Sequence, residues 1–212
     1  IRRKMPLLAL RFKFTKDFKF VRSYLKPTAA IFADTNYEPS KVAVDSGNNI
    51  YIVSEGVYAG VIQLANTGKF LGYFTSNKSK LTPQQMFLKL IYTKEQEKKS
   101  ELLNTLPSTF SNVFVDTNGT AYSTCMGIGD DLLKKHSTNG TNMLGNVKTS
   151  SALTDVTANK DGIIYASDSH GMIWVYTSQG EVIFQLGAEA ADKDISGLFT
   201  SLTTIAVDNS GN

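Results

Sequence analysis

The chain has 212 residues, 42% of them hydrophobic and 19% charged, a net charge of +3 and one cysteine. That is ample for a packed core and excludes an internal disulfide, and no apolar run reaches the ~18 residues of a membrane-spanning helix. The charge is unevenly placed: residues 1–26 carry nine Lys/Arg against Asp17 alone, and the remainder is net negative by five.

Ile1 to Leu25 reads as the outer two strands of a sheet. In RFKFTKDFKFVR the alternate charges are expected to face solvent while Phe12, Phe14, Phe18 and Phe20 pack inward. A basic stripe of this kind can seat phosphates or an anionic lipid surface. With the phenylalanines committed to packing, no ring is left to stack on bases, so no nucleic-acid partner is expected. Lys26-Pro27 ends the segment, and a loop leads to the next strand.

A first unit runs from Pro39 to about Thr75. Its middle loop sets two glycines around Tyr58 and can present Glu55 and Tyr58 to a ligand, or simply form a long turn. Between Lys80 and Pro107 the apolar period changes from two to that of a helix. Thr82-Pro83-Gln84-Gln85 and Thr93-Lys94-Glu95-Gln96 are capping boxes, and Pro107 is a stop, so an inserted helical hairpin is expected over 80–107, as a lid or a cap. A second unit runs from Phe110 to about Leu144, with a loop carrying Asp130 and Asp131. A third spans Leu153 to Gly187, and an acidic connector leads to a further unit beginning at Phe199.

The units are copies of one another. Ser40-Lys41-Val42-Ala43-Val44-Asp45 precedes Ile50-Tyr51, Ser111-Asn112-Val113-Phe114-Val115-Asp116 precedes Ala121-Tyr122, and Thr154-Asp155-Val156-Thr157-Ala158-Asn159 precedes Ile164-Tyr165. A fourth copy starts at Thr203-Thr204-Ile205-Ala206-Val207-Asp208. The Asp/Asn-to-Tyr spacing is six in all three complete copies, and the period is 71, 43 and 49 residues, the first lengthened by the insert. Four short strands repeating at ~40–45 residues are the blade of a β-propeller. A ring of about six such blades needs roughly 250–300 residues, so the chain is read as a partial propeller over 1–212, about three to four blades of a longer protein.

These motifs resemble the NHL-repeat family of propellers, most closely in IIYASDSHGMIWVYTSQGE, where Asp168 stands at the family's Asp. Two departures are Met172 in place of the family's Arg, and Glu55 and Cys125 where other copies show Asp. The helical insert after a Gly-flanked Tyr loop resembles a bacterial subgroup encoded near sugar-transport systems. The resemblance implies an extracytoplasmic or membrane-anchored setting, with any membrane association made through an N-terminal signal or anchor outside this sequence.

Propeller ligands bind at the central channel, at the start of each innermost strand and on the loops of that face. Those positions are Lys41, Asn112, Asp155 and Thr204, joined from the middle loops by Glu55, Tyr58, Asp130, Asp131, Asp168 and His170. A polar ring of mixed charge suits a carbohydrate, peptide or protein ligand, and no cofactor is expected. The alternative is a gluconolactonase-like hydrolase, in which Asn112 and Asp155 would help hold a divalent metal. A zinc lyase needs several channel histidines; of the two here, His136 is expected to face solvent and His170 to sit in a turn. No nucleophile elbow or phosphate loop is present. Cys125 is expected to be a buried small hydrophobe, and Asp45, Asp116 and Asp208 to be turn-formers. The expectation is therefore a binding scaffold and no catalytic residue.

Overall fold

The structure is a computed structural model and describes residues 11–32, 37–55, 57, 59–75, 108–127, 131–145, 147–150, 152–187 and 198–208. The helical hairpin expected over 80–107 lies outside these residues, as do Tyr58 and Asp130.

The described chain is all-β, in four antiparallel sheets. The first is a hairpin of β1 (Arg11–Phe14) and β2 (Phe20–Tyr24). The second is a meander of β3 (Glu38–Val44), β4 (Ile50–Glu55), β5 (Ile62–Leu64) and β6 (Phe70–Tyr73). The third holds β7 (Thr109–Val115), β8 (Ala121–Met126) and β9 (Leu133–His136), with a lone bridge from His136 to Asn142 where a fourth strand would lie. The fourth is β10 (Leu153–Ala158), β11 (Ile164–Asp168), β12 (Ile173–Tyr176) and β13 (Val182–Leu186). Strands in each sheet follow chain order, and β7 lies beside both β3 and β10. First strands side by side, with later strands leading away, give a β-propeller-like arrangement of blades.

One turn builds every blade. A residue i accepts from the N–H of i+3 and donates to the carbonyl of i+4, as Asp45 does with Asn48 at 3.0 Å and Asn49 at 3.1 Å. The same pair of bonds starts from Thr15, Ala65, Asp116, Ser137, Asn159, Asp168 and Thr177. This is a type I turn closed by a left-handed residue, whose twist suits a hairpin. The left-handed place holds glycine at 68, 119, 140, 162, 171 and 180, Asn48 in the first blade, and Phe18 in the leading hairpin.

In the first two copies the spacing of six has a cause. Asp45 Oδ1 accepts from Asn49 N at 2.8 Å, capping the turn, while Oδ2 accepts from the Tyr51 hydroxyl at 3.0 Å. Asp116 repeats the cap with Thr120 N at 2.8 Å and meets Tyr122 at 3.5 Å. Asp168 uses the same geometry one strand later: Met172 N at 2.9 Å, and Trp174 Nε1, again six residues on, at 3.2 Å. An acceptor with two oxygens ties a turn to the strand that leaves it. Asp45 and Asp116 are turn-formers, as expected.

Two apolar clusters fill the spaces between sheets. One joins Tyr51, Val53 and Val61 to Tyr122, Leu133, Val156 and Ile164, running through the three full blades. The other sets Tyr24, Phe32 and Tyr37 against Ile50, Ile52, Ile62 and Leu64. Because both sheet faces are covered, β4 and β8 are buried at five consecutive positions and do not alternate.

Two expectations are corrected here. Phe12, Phe14, Phe18 and Phe20 do not pack inward: they are 55%, 51%, 87% and 58% exposed. The hairpin docks through its other face, where Tyr24 is buried and the Tyr24 hydroxyl and Arg22 both donate to the Asn66 carbonyl. His136 does not face solvent. It is buried against Phe74 of the preceding blade, with Nε2 2.8 Å from Ser123 Oγ and Nδ1 3.3 Å from the Gly140 carbonyl. Cys125 is fully buried, as expected.

Candidate functional site

The channel column begins with a bulge repeated in every blade. The pairing of the first strand with the second slips between Pro39 and Lys41, between Phe110 and Asn112, and between Leu153 and Asp155. The residue skipped is Ser40, Ser111 or Thr154, the Ser/Thr of the repeat. Its hydroxyl bonds across to the second strand: Ser40 to the Val53 carbonyl at 3.4 Å, Ser111 to Thr124 Oγ1 at 2.9 Å, Thr154 to the Ser167 carbonyl at 3.2 Å. A bulge re-aims the side chain that follows it. In this fold that side chain is Lys41, Asn112 or Asp155.

Asn112 and Asp155 are brought together, and Thr204 joins them. Asn112 Nδ2 donates to Asp155 Oδ1, which also accepts from Val156 N at 2.7 Å. Asp155 Oδ2 accepts from Thr204 Oγ1 at 2.6 Å and from Ile205 N at 3.0 Å. Asp155 is 4% exposed, and its buried carboxylate is carried by four donors drawn from two blades and the segment after them. Thr154 Oγ1 also lies 2.8 Å from the Leu202 carbonyl, so its single proton is shared between that carbonyl and the one of Ser167. Lys41 holds the equivalent place in the first blade and is half-buried.

The other residues separate into two groups. Asp168 is 1% exposed, and its oxygens serve the turn and Trp174, so it belongs to the frame. Glu55 and His170 are exposed. Glu55 ends β4 directly across from Glu38, placing two carboxylates at one rim of the first blade. His170 projects from the turn that Asp168 caps. The register also shows that Ser54, not Glu55, shares the place of Cys125 and Asp168: the three stand opposite Pro39, Phe110 and Leu153.

A hard divalent cation needs six or more oxygens. Among the described residues no group of three or more His, Cys, Asp or Glu could hold a metal, and both Asp155 oxygens already accept hydrogen bonds. The described donor set does not fit a metal. Ser123 and His136 form a buried pair whose second ring nitrogen meets a carbonyl, so they too read as frame.

The buried polar groups outside the column were not legible from the repeat. Lys134 is 1% exposed, with Nζ 5.0 Å from the centre of the Phe110 ring. Burial pushes the His136 imidazole down to about 4, helped by the Lys134 charge and opposed by the Gly140 carbonyl and Asp131. Burial and the neighbouring carboxylates push Tyr51 and Tyr122 up to about 12.

No protein-family model matches the sequence, and no curated protein matches it. Solved structures do. A protein of unknown function from Bacteroides caccae matches with a TM-score of 0.56 and 11% identity, over 96% of this chain and 59% of that one. The computationally designed Ika8 protein matches with a TM-score of 0.50 and 10% identity, over 94% of this chain and 50% of that one. The chain thus spans 59% of the first and half of the second. A virginiamycin B lyase from Staphylococcus aureus matches at 0.46 and 11%, over 70% and 41% of the two chains, too distant to bear on this one. At these identities the likeness to the first two is one of fold alone.

Proposed function

We propose that the chain is part of an NHL-type propeller, six-bladed when complete and carrying a helical insert over 80–107, that serves as a binding scaffold for a carbohydrate, peptide or protein partner. The observation carrying this reading is the division of labour among polar residues. Those that recur from blade to blade, the Ser/Thr of the bulge and the Asp/Asn of the turn, hold the frame of each blade, and Asn112, Asp155 and Thr204 tie neighbouring blades together. Outside that work, at the exposed rim, stand Glu38 with Glu55, and His170, which differ from blade to blade. A constant frame with a varied rim is the arrangement of recognition surfaces.

The test is titration of the chain with defined oligosaccharide and peptide panels, followed by Lys41→Ala and Glu55→Gln. Binding that these variants weaken at least about tenfold, with unchanged thermal midpoint, supports the reading. Calcium-dependent hydrolysis of a sugar lactone by the same preparation would replace it with the lactonase-like alternative.

A further inference from the structure

The second blade (β7–β9) carries the same four residues in two of its turns. Thr117-Asn118-Gly119-Thr120 joins β7 to β8, and Thr138-Asn139-Gly140-Thr141 follows β9. The local geometry is the same as well. Gly119 and Gly140 stand at φ 82° and 81°, and their N–H groups donate to the Asp116 and Ser137 carbonyls at 3.0 and 2.9 Å. Both asparagines are exposed. Whatever separates them in behaviour comes from their surroundings.

The caps of the two turns differ. At the first, Asp116 Oδ1 accepts from both Asn118 N at 2.9 Å and Thr120 N at 2.8 Å. That leaves the Asn118 side-chain amide without a hydrogen bond among the described residues. Ser137 has no second oxygen to do the same, so Asn139 caps its own turn: Asn139 Oδ1 accepts from Thr141 N at 3.1 Å and from Ser137 Oγ. The packing differs too. The turn leading from the third strand of a full blade sits on the end of the blade before it. A Cβ on Gly140 would overlap the Phe74 carbonyl oxygen, and one on Gly180 would lie 2.8 Å from Val147 Cγ2. A Cβ on Gly119 would meet nothing within 4 Å among the described residues. The Asn118 turn therefore opens by itself, whereas the Asn139 turn opens only with the joint between two blades.

We infer that Asn118 is a site of spontaneous covalent modification, from which the fold protects Asn139. Once its turn opens, the Gly119 nitrogen, with no side chain to shield it, bonds to Asn118 Cγ and gives up its proton. The Cγ–Nδ2 bond breaks and ammonia leaves with that proton. Water then splits one of the two imide C–N bonds, giving aspartate or its β-linked isomer; no oxidant or reductant takes part. The product sets a second carboxylate beside Asp116. The β-linked form also lengthens the main chain inside the turn that Asp116 caps and ties to Tyr122.

The experiment is incubation of the 212-residue chain in mildly alkaline buffer, folded and in denaturant. Peptide mapping by mass spectrometry follows conversion at each asparagine. In the folded chain Asn118 should convert at least about tenfold faster than Asn139. In denaturant the two rates should come together, because the tetrapeptides are identical. Asn118→Gln should suppress conversion at that position and leave the rate at Asn139 and the thermal midpoint unchanged. Equal or faster conversion at Asn139 in the folded chain overturns the proposal. So does a folded Asn118 that stays intact over the time in which the denatured one converts. A gap of the same size in denaturant overturns it as well, since the difference would then come from neighbours in sequence and not from the fold.

Discussion

Tyr51 donates its hydroxyl to Asp45 Oδ2 at 3.0 Å, fastening the second strand of the first blade to the turn that launches it. Burial raises the Asp45 pKa, but the bonds from Asn49, Tyr51 and Gly47 outweigh it and leave the carboxyl below its ordinary value. Tyr51→Phe should destabilise the chain by about 1 kcal/mol in urea denaturation. Gln63, which donates to the same hydroxyl at 3.2 Å, loses its acceptor in that variant.

The same pairing predicts alkaline behaviour. Tyr51, Tyr122 and Tyr176 are pushed up to about 12, so at pH 11 they stay protonated when exposed tyrosines have ionised. Their folded values lie above the unfolded value near 10. The stability they contribute is full below pH 10 and is lost as pH rises toward 12. Phenolate absorbance followed against pH should show a delayed group that merges with the rest in denaturant.

His136 gives the acid limb. Its folded value near 4 lies below the unfolded 6.5, so stability is full above pH 6.5 and falls between pH 6.5 and 4. The loss is on the order of 3 kcal/mol. His136→Gln should lower stability at neutral pH and flatten the slope across that window, measured as denaturation midpoints at half-unit pH steps.

Asp155→Ala should be among the most damaging single changes, at about 3 kcal/mol or more, because it strands the side chains of Asn112 and Thr204 and two backbone N–H groups. A double-mutant cycle with Asn112→Ala should return a coupling of about 1 kcal/mol or more. A coupling near zero would mean that the two blades are not joined through this pair.

Two glycines of one turn type should respond differently to alanine. Gly119→Ala meets nothing within 4 Å and bears only the left-handed penalty of about 1 kcal/mol. Gly140→Ala drives a methyl into the Phe74 backbone and should cost about 4 kcal/mol or more. Thermal midpoints of the two variants decide it.

The strands and turns were open to reading from sequence because they rest on local rules. Each turn but that of Ala65 is set by its own Asp, Asn, Ser or Thr, and all by the left-handed residue three places on. The column of Lys41, Asn112, Asp155 and Thr204 could be aligned in the same way. What the residues do there could not, because whether Asp155 faces a ligand or Asn112 depends on a contact 43 residues away. Ser54 stands three residues after the repeat tyrosine, as Cys125 and Asp168 do, so its place was open to the same counting and Glu55 is one residue off it. The phenylalanines of β1 and β2 misled because alternation distinguishes two faces without saying which is covered. His136 misled for the opposite reason: a strand between two blades has no wet face.

The nesting of each turn against the blade before it gives the arc a direction. Gly68 leans on Tyr24, Gly140 on Phe74, and Gly180 on Leu144 and Val147, always backwards along the chain. Pulled from the C-terminal side, the blades should peel off in reverse order, each leaving its predecessor with the surface on which it first settled. Pulled from the N-terminal side, every blade loses its footing in turn. The two ends should therefore yield at different forces, and the polypeptide emerging from the ribosome always finds its template already made.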